Sequence, residues 1–179
     1  MTDALRYGNK ALVEEFIDGQ EIEVAVLGNE SPCASVCGEI DAGAEFYDYE
    51  AKYLSSSASF YVPARIDEAV SELLRETAVK VYRAMECRGL ARVDFFVRRD
   101  DQEVVFNEIN TIPGSLAFYL WEPVGISYPE LLDRMIRLAL KRVREEESIT
   151  FSFDTNILNQ NSLGGVKGGK MGKLKAPLQ

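Results

Sequence analysis

The order and periodicity of its apolar runs place this 179-residue chain in the α+β class, with a mostly antiparallel sheet flanked by helices. Three observations lead there. Short β-leaning runs come in neighbouring pairs joined by turn residues. Two longer runs carry the 3.6-residue period of helices, and few strand–helix–strand crossovers of the kind that build parallel sheets are present.

Taken in order, residues 11–17 and 21–27 are β-leaning runs on either side of Asp18-Gly19, a strong hairpin signal. A further short strand is expected at 34–40. Residues 41–59 mix Gly, Ser, Tyr and charges without period and read as a long loop; loops of that length inside a domain are usually functional. Residues 67–87 predict a helix, with Val70, Leu73, Leu74, Ala78, Val81, Tyr82 and Met85 on one stripe and Arg88-Gly89 at its end. Two strands follow, at 91–97 and 103–109, joined by the charged turn Arg98-Arg99-Asp100-Asp101. A second helix is predicted at 128–146, with Leu131, Leu132, Met135, Ile136, Leu138, Ala139 and Val143 as its apolar positions. A single domain over 1–147 is therefore expected. Residues 148–179 add one short strand, Ile149-Thr-Phe-Ser-Phe, and a Gly-, Lys- and Asn-rich tail.

Composition narrows the function. The chain is 46% hydrophobic with nine Phe and eight Tyr, enough for a packed core, which excludes a disordered class. A net charge of −9 argues against a nucleic-acid surface, since phosphate backbones need a basic footprint. The absence of histidine removes imidazole acid–base chemistry and most zinc sites. Cys33, Cys37 and Cys87 are an odd set in scattered contexts and read as reduced thiols. With no long apolar stretch and no signal-like opening, a cytoplasmic protein without membrane contact is expected.

The chemistry concentrates in Ala91-Arg92-Val93-Asp94-Phe95-Phe96 and in Val105-Phe106-Asn107-Glu108-Ile109-Asn110-Thr111-Ile112-Pro113-Gly114. Alternation puts Arg92 and Asp94 on one face of their strand, and Glu108 and Asn110 on one face of the next. A hairpin centred near Asp101 sets Asp94 opposite Glu108 and Arg92 opposite Asn110. Facing carboxylates with Cβ atoms about 5 Å apart repel. Two readings follow. The carboxylates splay into water on an ordinary edge hairpin, or a divalent cation holds them together. Oxygen-only ligands favour Mg²⁺ or Mn²⁺.

The run from Gly89 to Gly114 resembles the C-terminal signature of the D-alanine–D-alanine ligases, a branch of the ATP-grasp superfamily. That resemblance implies the C-terminal ATP-grasp fold, ATP as nucleotide and two magnesium ions held by Asp94, Glu108 and Asn110. It also implies oxyanion stabilisation by Arg92 and the backbone N–H of Gly114. In Val13-Glu14-Glu15-Phe16-Ile17-Asp18-Gly19-Gln20-Glu21 it assigns Glu14, Phe16 and Ile17 to the adenine edge and Glu21 to the ribose hydroxyls. Phe106, where the family more often has Leu or Ile, joins the nucleotide contacts. Glu45-Phe46-Tyr47-Asp48-Tyr49-Glu50-Ala51-Lys52-Tyr53 is similar to the loop that closes over the site in these ligases, with Lys52 reaching the γ-phosphate.

The resemblance runs from about residue 12 to 140 and covers the second half of the family's usual length. An N-terminal ligase domain is thus an expected partner, and this chain should not catalyse ligation alone. After Gly114 the stretch Ser115-Leu116-Ala117-Phe118-Tyr119-Leu120-Trp121-Glu122 departs from the family. Tyr119 and Leu120 fall where a pair that binds the second substrate's carboxylate is usual. D-alanine, D-serine, D-lactate or a larger acceptor all stay open. The activity implied is ATP-dependent joining of two D-amino acids for peptidoglycan precursors. A ligase with another acceptor and a non-catalytic nucleotide-binding module are the alternatives. A homodimer is allowed.

Overall fold

Every residue from 22 to 28 of one strand is buried, as a strand covered on both faces requires. This strand, β1 (Gly19–Gly28), lies at the centre of a five-stranded antiparallel sheet ordered β3-β2-β1-β4-β5. Its partners are β2 (Cys33–Asp41), β3 (Ser59–Tyr61), β4 (Gly89–Arg98) and β5 (Val104–Asn110). Helix α1 (Glu68–Ala84) covers one face and α2 (Tyr128–Glu147) follows the last strand. The computed structural model describes residues 3–41 and 59–150.

Each face of the sheet has its own core. On one, Leu74, Ala78 and Tyr82 of α1 pack over Ile22, Val24, Val26, Val93, Phe95 and Val97. The Tyr82 hydroxyl donates to the Gly28 carbonyl at 2.6 Å, so this buried phenol also ties α1 to the end of β1. On the other, Ala25, Leu27 and Leu90 meet Ala117, Leu120, Trp121 and Leu131. That second core fills only one end of its face. At the other end polar side chains replace it, and the candidate site lies there.

The second strand, both predicted helices and the hairpin of β4 and β5 stand where the periodicity puts them, within a few residues. One expectation fails. Residues 11–17 form no strand, and Leu12, Val13 and Phe16 are 75% exposed or more. The reason is the sheet order. β2 and β4 occupy both edges of β1, so no edge is left for a preceding segment. Asp18-Gly19 opens β1 instead of turning a hairpin. Gly19 faces Val97 so closely that a Cβ there would stand 2.7 Å from the Val97 carbonyl oxygen. The predicted loop at 41–59, Lys52 included, lies outside the described residues except for its ends, Asp41 in β2 and Ser59 in β3, and the expected final strand and tail fall largely on 151–179, also outside them.

Candidate functional site: a carboxylate-rich sheet face

The β4–β5 register is the one the hairpin predicts: Arg92 opposes Asn110 and Asp94 opposes Glu108. Asn110 Nδ2 donates to Asp94 Oδ2 and to Glu108 Oε1, 3.0 Å each. The amide therefore bridges both carboxylates and draws them onto one spot. Arg92 donates from Nε to Asp94 Oδ1 and from Nη2 to Asp94 Oδ2, both at 2.7 Å, a bidentate pair of the strongest kind. Burial works against the Arg92 charge, but the hydrogen bonds and charge of Asp94, with help from Glu23, outweigh it and raise the guanidinium's pKa further. Arg92 thus remains a permanent cation at the centre of the face.

Pairing of β1 with β4 adds a residue that the sequence reading missed. Glu23 opposes Asp94 on one side and Gly38 on the other. It is 1% exposed, and neither carboxylate oxygen makes an aligned hydrogen bond. Arg92 Nε stands 3.2 Å from its Oε2. Burial pushes the Glu23 carboxyl above the usual glutamate value. Tyr119 and Arg92 pull it back, while the charges of Asp94 and Glu21 add to the rise. The signal was present in the two-residue spacing from Glu21, but it has meaning only once β4 is known to be the neighbour of β1.

The other predicted residues divide into three groups. Glu21 lies on the same face as Glu23, opposite Phe96. Glu14, Phe16 and Ile17 stand in the irregular approach to β1 rather than on a hairpin; that approach docks on the β4–β5 turn through Glu15–Arg98 (3.3 Å) and Asp18–Arg99 (3.4 Å). Gly114 is exposed, and a Cβ there would meet no atom of the described residues within 4 Å, so packing among them does not call for glycine. It opens a turn in which Ser115, Leu116 and Ala117 all take left-handed φ, between 48° and 55°. Such conformations are costly for residues with a Cβ and concentrate at functional sites.

Two expectations need correction. A bulge in β5 pairs Phe95 with Phe106 directly after the Asp94–Glu108 pair. The Phe106 ring consequently packs edge-on against Phe95, 6.2 Å between centroids. Phe95 belongs to the α1 core, so Phe106 is turned away from the carboxylates. Leu120 is completely buried beneath the sheet, in the room left by Gly38, and has no side-chain surface for a substrate. Tyr119 is different. Its ring meets Phe60 and Phe118 edge-on, and burial, with the neighbouring Glu23 charge, raises its phenol above the ordinary range.

The donor set suits a divalent cation only in part, and that part is chemically coherent. Among the described residues no three carboxylate or thiol groups converge to enclose an ion. Two carboxylates do converge on the Asn110 amide, whose Nδ2 faces them here and whose Oδ1 would ligate after a half-turn; Glu108 is exposed, which leaves further positions for water or phosphate oxygens. Hard oxygen donors of this type fit Mg²⁺ or Mn²⁺.

A family model, the D-ala D-ala ligase C-terminus, matches residues 1–137. The chain belongs to that family. The D-alanine–D-alanine ligase of Acetivibrio thermocellus is 51% identical over 146 residues, 79% of this chain and 39% of the relative. Among solved structures, the D-alanine–D-alanine ligase of Coxiella burnetii superposes with a TM-score of 0.70 at 36% identity, over 82% of this chain and 39% of that one. The Bacillus anthracis ligase, solved in complex with ATP, gives 0.59 at 32% identity, over 75% of this chain and 44% of the other. The fold is accordingly the C-terminal ATP-grasp fold of these ligases. The chain spans about two fifths of the length of the relatives it matches. Among its described residues no helix is long and apolar enough to cross a membrane.

Proposed function

We propose that this chain forms the nucleotide- and cation-binding half of an ATP-dependent ligase that joins two D-amino acids, D-alanine first among them. The observation that carries the reading is the convergence of Asp94 and Glu108 on one amide, beside a guanidinium that cannot lose its charge. Relatives named for this activity, and a neighbour solved with ATP, support it.

In this reading Asp94, Glu108 and Asn110 hold two Mg²⁺, with Mn²⁺ as a substitute; when bound, the ions neutralise the charge of the ATP phosphates. Glu21 accepts from the ribose hydroxyls, Glu14, Phe16 and Ile17 line the adenine edge, and Lys52 meets the γ-phosphate. The carboxylate of the first D-amino acid attacks the γ-phosphorus and ADP leaves, giving an acyl phosphate. The amine of the second then adds to the acyl carbon. Arg92 and the Gly114 N–H face the oxyanion that forms there, a preorganised pair of the kind that supplies several kcal/mol. Collapse of that intermediate expels phosphate. Tyr119 offers one hydroxyl toward the acceptor's carboxylate. The N-terminal ligase domain completes the first amino-acid site.

Calorimetric titration of the chain with Mg·ATP tests the cation site. Asp94→Ala and Glu108→Ala should each weaken binding at least about tenfold, the scale of disturbing a metal's ligand shell. Affinity equal to the parent in both variants rejects the reading. In the enzyme that contains this chain, phosphate release should depend on added D-alanine.

A further inference from the structure

Glu23 sits in the middle of the polar face and has no part in the reaction as proposed. Its position is nevertheless built. Gly38 opposes it without a side chain, and a Cβ there would lie 2.6 Å from Leu120 Cδ2 and 3.3 Å from Glu23 Oε1. β2 thus lacks a side chain where Leu120 and a carboxylate that is 1% exposed both press in. Burying a carboxylate is costly even with Arg92 Nε 3.2 Å away and Tyr119 beside it, and an apolar residue would pack there more cheaply.

The neighbouring Arg92 explains what the carboxylate is for. Its side chain is only 17% exposed, and Nε and Nη2 are both committed to Asp94, while Oε2 of Glu23 waits 3.2 Å from Nε. Asp94 therefore faces two demands. Both of its oxygens bind the guanidinium, and Oδ2 also accepts from Asn110. A divalent cation at Asp94 would compete for those lone pairs and repel the guanidinium, leaving a buried positive charge without its partner.

We propose that Glu23 is a positioning residue that receives the Arg92 guanidinium when Asp94 turns to a divalent cation. The proposal rests on the cation site of the ligase reading. Glu23 is already within contact distance, so a small rotation about the guanidinium transfers the ion pair. Arg92 is then kept on the polar face, charged and oriented, while Asp94 is released. Without Glu23 the cation could bind only by stranding Arg92.

The transfer has a signature that a simple charge effect lacks. If Glu23 acted only as one more negative charge near the ion, its loss would weaken cation binding whether or not Arg92 were present. If it acts through Arg92, its loss matters only while Arg92 is there. Mn²⁺ titrated into the 179-residue chain with and without ATP, followed by electron paramagnetic resonance, separates the two. Glu23→Gln should weaken Mn²⁺ binding about tenfold, within the 5–150-fold range of coupled sites. In an Arg92→Ala background the same substitution should change affinity by less than about twofold, since no guanidinium remains to be stranded. Equal weakening in both backgrounds, or none in either, overturns the transfer. A parent chain that takes up no Mn²⁺ in either condition overturns the cation site itself, and the transfer with it. Should Glu23→Gln fail to fold, Glu23→Met fills a similar volume without charge and enters the same cycle.

Discussion

Glu39 and Arg65 give the clearest single-residue account of stability outside the polar face. Glu39 accepts from the Arg65 backbone N–H, from Arg65 Nε and Nη2, and from Gln20. Those hydrogen bonds, Arg65's first, outweigh the burial that opposes ionisation and lower its pKa from the ordinary 4.5 to about 2. The group is depressed in the folded state. Its contribution is therefore complete above the unfolded value and disappears as pH falls from about 4.5 to about 2. Glu39→Gln should lower the urea midpoint at neutral pH, and the gap to the parent should close across that window. A gap that stays constant down to pH 2 would show that the carboxylate's charge is not what holds Arg65. At this scale the sequence was informative where a residue's role follows from its own strand partner. Asp94, Glu108, Asn110 and Arg92 were all placed by one hairpin register. Glu23 was not, since its partner lies more than sixty residues away along the chain.

Among the elements, β2 shows how strand pairing and the site depend on one another. Gly38 provides the space that both Leu120 and Glu23 use. Gly38→Ala should destabilise the chain by about 1–3 kcal/mol, the usual cost of overpacking a filled core. Adding Leu120→Val, which shortens the side chain in conflict, should recover part of that loss in urea denaturation; no recovery would locate the strain elsewhere. The helices were legible because α1 places Leu74, Ala78 and Tyr82 on one stripe, all completely buried. The second helix shares the period, but only Leu131 is fully buried, and Ile136, Leu140 and Val143 are half exposed. Periodicity identifies a helix; it does not say how much of the apolar stripe has a partner. The bulge in β5 was invisible for a related reason. An extra residue in one strand changes no residue type, only which face the residues on one side of it take, and it turned Phe106 from the nucleotide side toward Phe95.

For the whole molecule, stability belongs to the sheet and its two cores, and the approach to β1 is an attachment. Residues 11–17 form no strand, and the ties of this region to the sheet include exposed ion pairs and a backbone bond from Arg99 to Asp18. Exposed ion pairs contribute little. Removing the first 17 residues should therefore cost less than about 1 kcal/mol in urea unfolding. A larger loss would mean that the segment packs on the core in solution.

Local signals already specified a mostly antiparallel α+β domain, both helices, the β4–β5 register as far as Asp94 and the meeting of two carboxylates, an amide and an arginine, because each depends on residues within one hairpin or one helical stripe. What required the folded chain was the partner of each strand across long sequence separations. Pairing β1 with β4 brought Glu23 to Arg92, denied residues 11–17 a strand and turned the Asp-Gly pair from a hairpin into an entry point. Short-range patterns record which way a side chain faces; which strand lies alongside is settled by the burial of two cores at once, and no single segment carries that information.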